Sequence, residues 1–484
     1  MERILRATAT VGLSSLLTVA LGAVRYKFIA VELGAPGVGL LGLLTAAATF
    51  GVVLFSLGLT TSGVQATAAA TGDEVQFNRT RSALLIGTRW LGCAGGVLVA
   101  LLGLTFGGSF LPKHASPVLM VGLGVALAAM VVSGGNLALL NGMGRIRALA
   151  TSNAWGSVVG TVVTIAAVYI SGQAGLIAAL AAAPLATLAC SSWFLLREPK
   201  VNPRPRLIHW WPELRGMIML GGVVMLGLLF GSATQLILRV WLQKSLGLSS
   251  AGYFQAAWTI TSLYLGFVLT ALAVEYYPRI SKEAAEPVRL NASVDSQMRV
   301  ALLLGTPVLL WMMVFSPFVL HVLYAPNFQS ATAILRWQLF GDILKIAGWA
   351  VAFLLLARRA RGAYFLAELS WNICYVLLAL PLGSLYGLSA LGMAYVGSYA
   401  LYIAVTLWLA HRDSGFVLHR RTFALVVALL LVGAITLWSV EYWSSIGLYV
   451  GATLASVATI ASFITLYQWR ARERRAESEV GTLV

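Results

Sequence analysis

The stretch Arg336-Trp-Gln-Leu-Phe-Gly-Asp342-Ile-Leu-Lys345-Ile-Ala-Gly-Trp349 lies inside a run, 332–356, that is otherwise apolar and long enough to cross a bilayer. An Asp and a Lys one turn apart mean either the polar face of a soluble helix or a membrane span that carries charge for a reason. The rest of the chain decides for the span. Of its 484 residues 59% are hydrophobic and only 10% charged, and the mean hydropathy is +0.86. Soluble domains hold about 25% charged residues, because half of each amphipathic element faces water. Apolar runs of about 20 residues recur from end to end. The alternation over about ten residues that an outer-membrane barrel needs is missing. The expected fold is an all-α polytopic membrane protein with about 14 transmembrane helices.

A net charge of +16 in a soluble protein would point to nucleic acid. In a membrane protein the position of each charge matters more. With the N-terminus inside, most of the 33 Lys and Arg fall on the inner side, and Lys113 and Lys244 fall outside. Both termini are therefore expected in the cytoplasm. The basic excess is a topological signal and an attraction to anionic headgroups, so the lipid bilayer is a partner and no nucleic acid is expected. Cys93, Cys190 and Cys374 sit in different helices without metal-ligand spacing, and no cofactor or metal is expected. His114, His209, His321, His411 and His419 are dispersed without catalytic spacing. The first apolar run is too long, and too interrupted by Arg25 and Lys27, for a cleaved leader, and reads as the first helix.

The run Arg197-Glu-Pro-Lys-Val-Asn-Pro-Arg-Pro-Arg206 reads as a linker, since Pro at these intervals prevents a helix. Two short echoes flank it at one offset. Leu33-Gly34-Ala-Pro-Gly-Val-Gly39 answers Leu246-Gly247-Leu-Ser-Ser-Ala-Gly252, and Leu139-Leu140…Arg145…Trp155 answers Leu355-Leu356…Arg361…Trp371. Repeats of this kind describe a two-lobed transporter with its site between the lobes. The expected organisation is a six-helix lobe at 1–200, a second six-helix lobe at 201–411, and two extra helices with a basic cytoplasmic tail at 412–484. Outer loops are short, which argues against a glycan polymerase or ligase with an extracytoplasmic catalytic loop.

An ionised side chain at a bilayer centre costs about 2.5–3.5 kcal/mol on insertion scales, so each one calls for a cause. Arg25 and Lys27 stand late in the first helix and point roughly 200° apart on a regular helix, so both face one cavity only if the helix breaks. Arg239 stands late in the seventh helix, shortly before the echoed loop, as Lys27 does in the first. Cations facing a cleft suit a phosphate or pyrophosphate, which Arg binds through its planar fork. Gln338, Asp342, Lys345 and Trp349 follow helical spacing and form one polar stripe. Their bland reading is a self-neutralising ion pair. Glu368 is a candidate partner for Lys345 or a proton-binding carboxylate, and Glu275 lies at the inner end of the eighth helix. Trp258, Tyr264, Trp371, Asn372 and Tyr395, with Gln338, could offer flat faces and hydrogen bonds to sugars, although aromatic packing is commoner. Pro184 and Pro307 fall inside spans, where they kink helices.

The Trp-Gln-Leu-Phe-Gly-Asp-Ile-Leu-Lys core of Arg336–Lys345, the later Leu366-Ala-Glu-Leu369, and Lys27-Phe-Ile-Ala-Val-Glu-Leu-Gly34-Ala-Pro-Gly-Val-Gly39 resemble the Wzx-type lipid-linked oligosaccharide flippases (O-antigen and enterobacterial common antigen-like) of the multidrug/oligosaccharidyl-lipid/polysaccharide exporter superfamily. The likeness is specific in these stretches and diffuse elsewhere, up to the two C-terminal helices. It implies two lobes around a cationic cavity, alternating access, and an undecaprenyl-pyrophosphate-linked glycan as cargo. That cargo would move from the inner to the outer leaflet of the bacterial inner membrane, with polysaccharide polymerase or ligase machinery as a partner. By that similarity Lys27, Arg239, Asp342, Lys345 and Glu368 fall on family-like positions, while Arg25 rests on its depth alone. Wzx-type proteins usually have twelve helices, and the lipid II flippases of the same superfamily have fourteen. A lipid II-type flippase is therefore the alternative, with a cation-coupled drug exporter behind it.

Overall fold

The computed structural model describes residues 2–110, 117–198 and 207–481. Residues 199–206 of the expected linker, and Lys113 and His114, lie outside the described residues. The described chain is helical from end to end. Its elements are α1 (Glu2–Glu32), α2 (Gly34–Ser56), α3 (Leu59–Ala69), α4 (Glu74–Phe110), α5 (Pro117–Gly142), α6 (Ile146–Ser171), α7 (Leu176–Leu196) and α8 (Leu207–Ser245). They continue as α9 (Leu248–Glu283), α10 (Pro287–Val314), α11 (Ser316–Leu323), α12 (Thr332–Ala357), α13 (Arg361–Tyr386), α14 (Ser389–Ser414), α15 (Arg420–Tyr442) and α16 (Ser444–Gly481).

Thirteen stretches of the described residues are long and apolar enough to cross a membrane. One of them, Ile146–Leu196, holds both α6 and α7, joined by a 3-10 turn at Gly172–Gly175. Fourteen helices of crossing length result, which fits the expected all-α polytopic fold. Most run past the apolar windows, because a helix continues into water once started. Thus α4 begins at Glu74, where Asp73 Oδ1 accepts the backbone N–H groups of Val75 and Gln76 at 2.9 and 3.0 Å. That is an aspartate cap on a solvated turn.

Two apolar runs, each long enough for one span, are broken in two. The run 37–59 ends at Ser56, because Leu57 and Gly58 both take left-handed backbone angles (φ 46° and 75°) before α3 starts. The run 300–323 parts into α10 and α11 at Phe315. Pro317 has no N–H to give the Met313 carbonyl, its partner four residues back. That carbonyl is served instead by Ser316 Oγ at 2.9 Å and by Arg336 Nε at 3.4 Å.

The chain divides into two compact units, 1–253 with 323–327, and 254–322 with 328–484. In the first unit, Leu59, Leu84, Leu139, Trp210 and Leu214 form a shared apolar core. Asn136 Nδ2 donates to Ser191 Oγ and Ser192 Oγ at 3.1 and 3.0 Å, tying α5 to α7. Interhelical bonds of this sort contribute on average about 0.6 kcal/mol in a bilayer.

The echoed glycines meet in this unit. A Cβ on Gly39 would stand 2.2 Å from the Leu248 carbonyl oxygen, and one on Gly252 would stand 2.0 Å from that of Ala35. The starts of α2 and α9 therefore touch backbone to backbone, with no room for a side chain on either. Gly34 and Gly247, which open the two echoed segments, both take positive φ (65° and 87°). The repeated letters correspond to a repeated turn-and-helix start, and the two copies pack on each other.

In the second unit, α15 and α16 pack against α10, and α15 also packs against α12. Polar ties hold α15 at both ends. Asp295 accepts the Thr422 hydroxyl at 2.8 Å and the His419 backbone N–H at 3.1 Å, and pairs with Arg299 at 3.1 Å. At the other end Arg336 donates to the Val440 carbonyl at 2.9 Å, to Glu441 Oε2 at 2.8 Å and to Ser316 Oγ at 2.9 Å. The first residue of the opening stretch is thus a fastener for the penultimate helix.

Candidate functional site

In the second unit α12 supplies the polar stripe. Gln338 and Asp342 are both 0% exposed, and Lys345 is half-buried. Asp342 and Lys345 do not make the self-neutralising ion pair of the bland reading. Tyr395 of α14 stands between them, donating its hydroxyl to Asp342 Oδ1 at 2.7 Å. Lys345 Nζ reaches that same hydroxyl at 3.5 Å, the long end of hydrogen-bonding range, and lies 5.6 Å from the centre of the Tyr399 ring. Glu368 on α13 is matched in the same way, its Oε1 accepting the Tyr402 hydroxyl at 3.0 Å. Each carboxylate is therefore held by a tyrosine of α14, and the ammonium sits between the two.

Aromatic rings wall this cluster. Trp371 lies 6.5 Å from Tyr395 and 5.3 Å from Tyr399, ring centre to ring centre. Trp258 lies 6.0 Å from Tyr395, edge to face. Trp349 packs 5.6 Å from Tyr276 and 4.8 Å from Phe353. Tyr264 donates to the Gly305 carbonyl at 2.9 Å, and Asn372 Nδ2 donates to the Glu368 carbonyl at 2.8 Å. Several buried polar atoms keep no hydrogen-bond partner, namely both amide atoms of Gln338, Asp342 Oδ2, Asn372 Oδ1 and Trp371 Nε1. Unsatisfied buried atoms are costly, so this concentration sets the neighbourhood apart from an ordinary apolar span.

A chamber of about 140 Å³ opens among Lys345, Trp349, Tyr364, Glu368, Trp371 and Tyr402. Glu275 is not part of this cluster. It is exposed and pairs with Arg279 one turn on, at 3.2 Å.

The first unit holds a larger cavity of about 600 Å³, walled by α1, α2, α5, α6 and α7 with Thr60 of α3. Arg25 is the ionisable side chain on its wall, among the hydroxyls of Ser14, Thr18, Ser133 and Thr187 and the amide of Asn153. Arg25 Nε is buried without a hydrogen-bond partner. Pro184, which interrupts α7, also lines this cavity. Lys27 is exposed on another side of α1, as the helical angle between the two residues requires. Arg239 is 4% exposed, and its guanidinium donates to the carbonyl and side-chain oxygens of Gln235 at 2.9 and 2.6 Å. It is a buried group gripped by its own helix, not one that reaches out to the interface.

Gln338, Asp342, Lys345, Glu368, Trp371 and Asn372 lie in one neighbourhood of the second unit, organised by three tyrosines of which only Tyr395 was singled out from the sequence. Tyr395, Tyr399 and Tyr402 recur at helical spacing on α14, and that stripe was the available signal.

Helices of crossing length with polar side chains turned inward around internal cavities define a polytopic helical membrane protein. Residues 4–283 match the family described as polysaccharide biosynthesis protein, and the chain belongs to that family. It is 24% identical over 291 residues to the lipid III flippase of Escherichia coli (strain K12), covering 58% of this chain and 68% of the relative. The Shigella flexneri protein of the same name matches equally. Two solved structures share the fold. One is an inward-facing multidrug resistance MATE family transporter of the MOP superfamily, with a TM-score of 0.72 and 16% identity over 85% of this chain and 98% of that one. The other is the lipid II flippase MurJ in an inward closed conformation, with a TM-score of 0.69 and 12% identity over 94% of this chain and 99% of that one.

Proposed function

We propose that this chain is a flippase that carries an undecaprenyl-pyrophosphate-linked oligosaccharide from the cytoplasmic to the outer leaflet of the bacterial inner membrane. It sits there as a multi-pass protein with both termini in the cytoplasm and feeds polysaccharide polymerase or ligase machinery. Family membership and the lipid III flippase relative support a lipid-linked cargo. The observation that carries the reading is Arg25, an ionised group on the wall of a hydroxyl-lined cavity of about 600 Å³, with a buried donor to spare. A diphosphate accepts charge-assisted hydrogen bonds from a guanidinium, and hydroxyls and amides suit a glycan. In this mechanism residues 1–200 and 201–411 act as two lobes that rock about the cargo, and 412–484 add two helices to the second. Arg239 and Lys27 supply positive charge along the route, and the Asp342, Lys345 and Glu368 cluster couples the movement to protons or to the membrane potential.

A lipid II-type precursor is the second reading, favoured by fourteen crossing helices and by the likeness to MurJ over 94% of this chain. One experiment separates the two. Deleting the gene and identifying the undecaprenyl-linked intermediate that accumulates in the inner leaflet gives an oligosaccharide repeat unit on the first reading and a peptidoglycan precursor on the second. The Arg25→Ala and Arg239→Ala double variant, shown to be inserted, should fail to restore surface glycan to the deletion strain. Normal glycan display in that strain would sink the diphosphate role.

A further inference from the structure

The two cavities have opposite linings. The one in the first unit, of about 600 Å³, is walled by hydroxyls, amides and aliphatic groups, and among the described residues no aromatic ring stands on its wall. The 140 Å³ chamber of the second unit is walled by the rings of Trp349, Phe353, Tyr364, Trp371, Tyr399 and Tyr402, with Lys345 and Glu368 as its charged groups. Such a wall offers flat apolar faces with polar groups at their edges.

Those polar groups have more hydrogen-bonding capacity than the protein itself uses. Glu368 commits Oε1 to the Tyr402 hydroxyl at 3.0 Å, and a carboxylate accepts up to about four such bonds. The Lys345 ammonium carries several N–H donors, and its hydrogen bond to Tyr395 is a long one at 3.5 Å. Trp371 is 7% exposed, and its Nε1–H, which can only donate, has no partner.

Charge decides which class of ligand fits. A cation would seek the ring faces, but Lys345 Nζ already stands 5.6 Å from the centre of the Tyr399 ring. The protein's own ammonium holds that place and repels a second one. An anion would meet Glu368 on the wall and the buried Asp342 behind Tyr395, two carboxylates against one ammonium. A wholly apolar ligand would seal off Lys345, Glu368 and the Trp371 N–H without partners, which is costly. A neutral molecule with an apolar face and a rim of hydroxyls meets every demand, and a neutral sugar ring is such a molecule. The chamber is well below the roughly 300–1,000 Å³ of drug-sized sites, so its volume is on the scale of one ring and not of an oligosaccharide.

We propose that this chamber is a subsite for one neutral hexopyranose unit of the cargo's glycan. The C–H face of the ring stacks on a tryptophan of the wall, Trp371 or Trp349. Its hydroxyls donate to Glu368 and accept from Lys345 and the Trp371 indole. A sugar acid is disfavoured by the same two carboxylates that exclude other anions. That the sugar arrives on a lipid rests on the flippase reading, whereas recognition of the ring rests on the chamber.

The test is saturation-transfer NMR on the full-length protein in lipid nanodiscs, prepared without sugar-headed detergent. The neutral probes are methyl β-glucopyranoside, methyl β-galactopyranoside and methyl β-N-acetylglucosaminide. Methyl β-glucuronide is the acidic probe and tetramethylammonium the cationic one. At least one neutral glycoside should bind with a Kd in the millimolar range, with the strongest transfer at its ring C–H protons, and neither charged probe should displace it. Trp371→Phe, which keeps a ring and loses the N–H, should weaken binding by about three- to tenfold. Glu368→Gln should weaken it by about tenfold or more, as expected for a hydrogen bond to a charged group. Trp438→Leu, on the exposed side of α15, should leave it unchanged.

No transfer to any neutral glycoside overturns the proposal. Unaltered binding in both Trp371→Phe and Glu368→Gln overturns it too, as does displacement of the glycoside by tetramethylammonium. The probes carry no lipid and require no transport, so the two readings fail separately. A chain that binds glycoside as described but restores no surface glycan to the deletion strain overturns the flippase reading and leaves the subsite standing. A chain that restores surface glycan and binds no neutral glycoside does the reverse.

Discussion

The Tyr395 hydroxyl bonds Asp342 Oδ1 at 2.7 Å, so the aspartate's partner comes from α14 and not from Lys345 one turn along its own helix. This ties α12 to α14 through a buried charge. Loss of the hydroxyl in Tyr395→Phe leaves both oxygens of Asp342 without a donor, a cost of about 1–3 kcal/mol. Thermal unfolding in detergent should show the loss, and Asp342→Leu in the same background should recover part of it. Losses that simply add when Tyr395→Phe and Asp342→Leu are combined would mean that the two residues do not interact.

The helix α15 is fastened at one end by Asp295 and at the other by Arg336. Removing either should loosen it without disturbing the first unit. Arg336→Ala deletes bonds to Ser316, Val440 and Glu441, and hydrogen bonds to charged groups contribute about 1.5–3 kcal/mol each. Limited proteolysis should then release a C-terminal fragment containing α15 and α16 sooner than in the parent. Glu441→Gln, which keeps an acceptor, should fall between the two.

Two glycines of one helix should respond oppositely to alanine. Gly252→Ala puts a methyl 2.0 Å from the Ala35 carbonyl oxygen, and backbone cannot yield as a side chain can. It should cost about 1–3 kcal/mol, the usual toll of overpacking, and lower transport. Gly266 has no atom within 4 Å of where a Cβ would sit, so Gly266→Ala should be neutral or stabilising by up to about 1 kcal/mol. Parallel melting curves of the two variants check this.

Arg25 and Lys27 provide a contrast on one helix. Arg25 faces the cavity of the first unit while Lys27 is exposed. Arg25→Gln should abolish complementation of a deletion strain, and Lys27→Gln should reduce it by no more than a few fold. Measuring surface glycan at matched protein levels distinguishes the two.

How much of this could be read from the letters depended on distance along the chain. Hydropathy located the fourteen crossing helices, because each signal is contained in about 20 consecutive residues. Helical phase put Gln338, Asp342 and Lys345 on one stripe for the same reason. The breaks at Leu57 and Pro317 were harder. Leu57 carries no turn signal, and Pro317 sits where a first-turn proline is also tolerated. Partner choice was out of reach. Nothing local says that Asp342 will prefer a tyrosine 53 positions away to a lysine three positions away, or that Arg336 will find Glu441 across 105. Those outcomes are set by which helices pack together.

The contact between Gly39 and Gly252 has a mechanical meaning. Interlocked side chains must change rotamer or bend to come apart, and they resist separation over several ångströms. Two bare backbones hold through dispersion at contact distance, which forfeits a quarter to a half of its well over a gap of about 0.5–1 Å. Such a seam is tight when closed, gives way abruptly, and recloses in register because no side chain has to find its slot again.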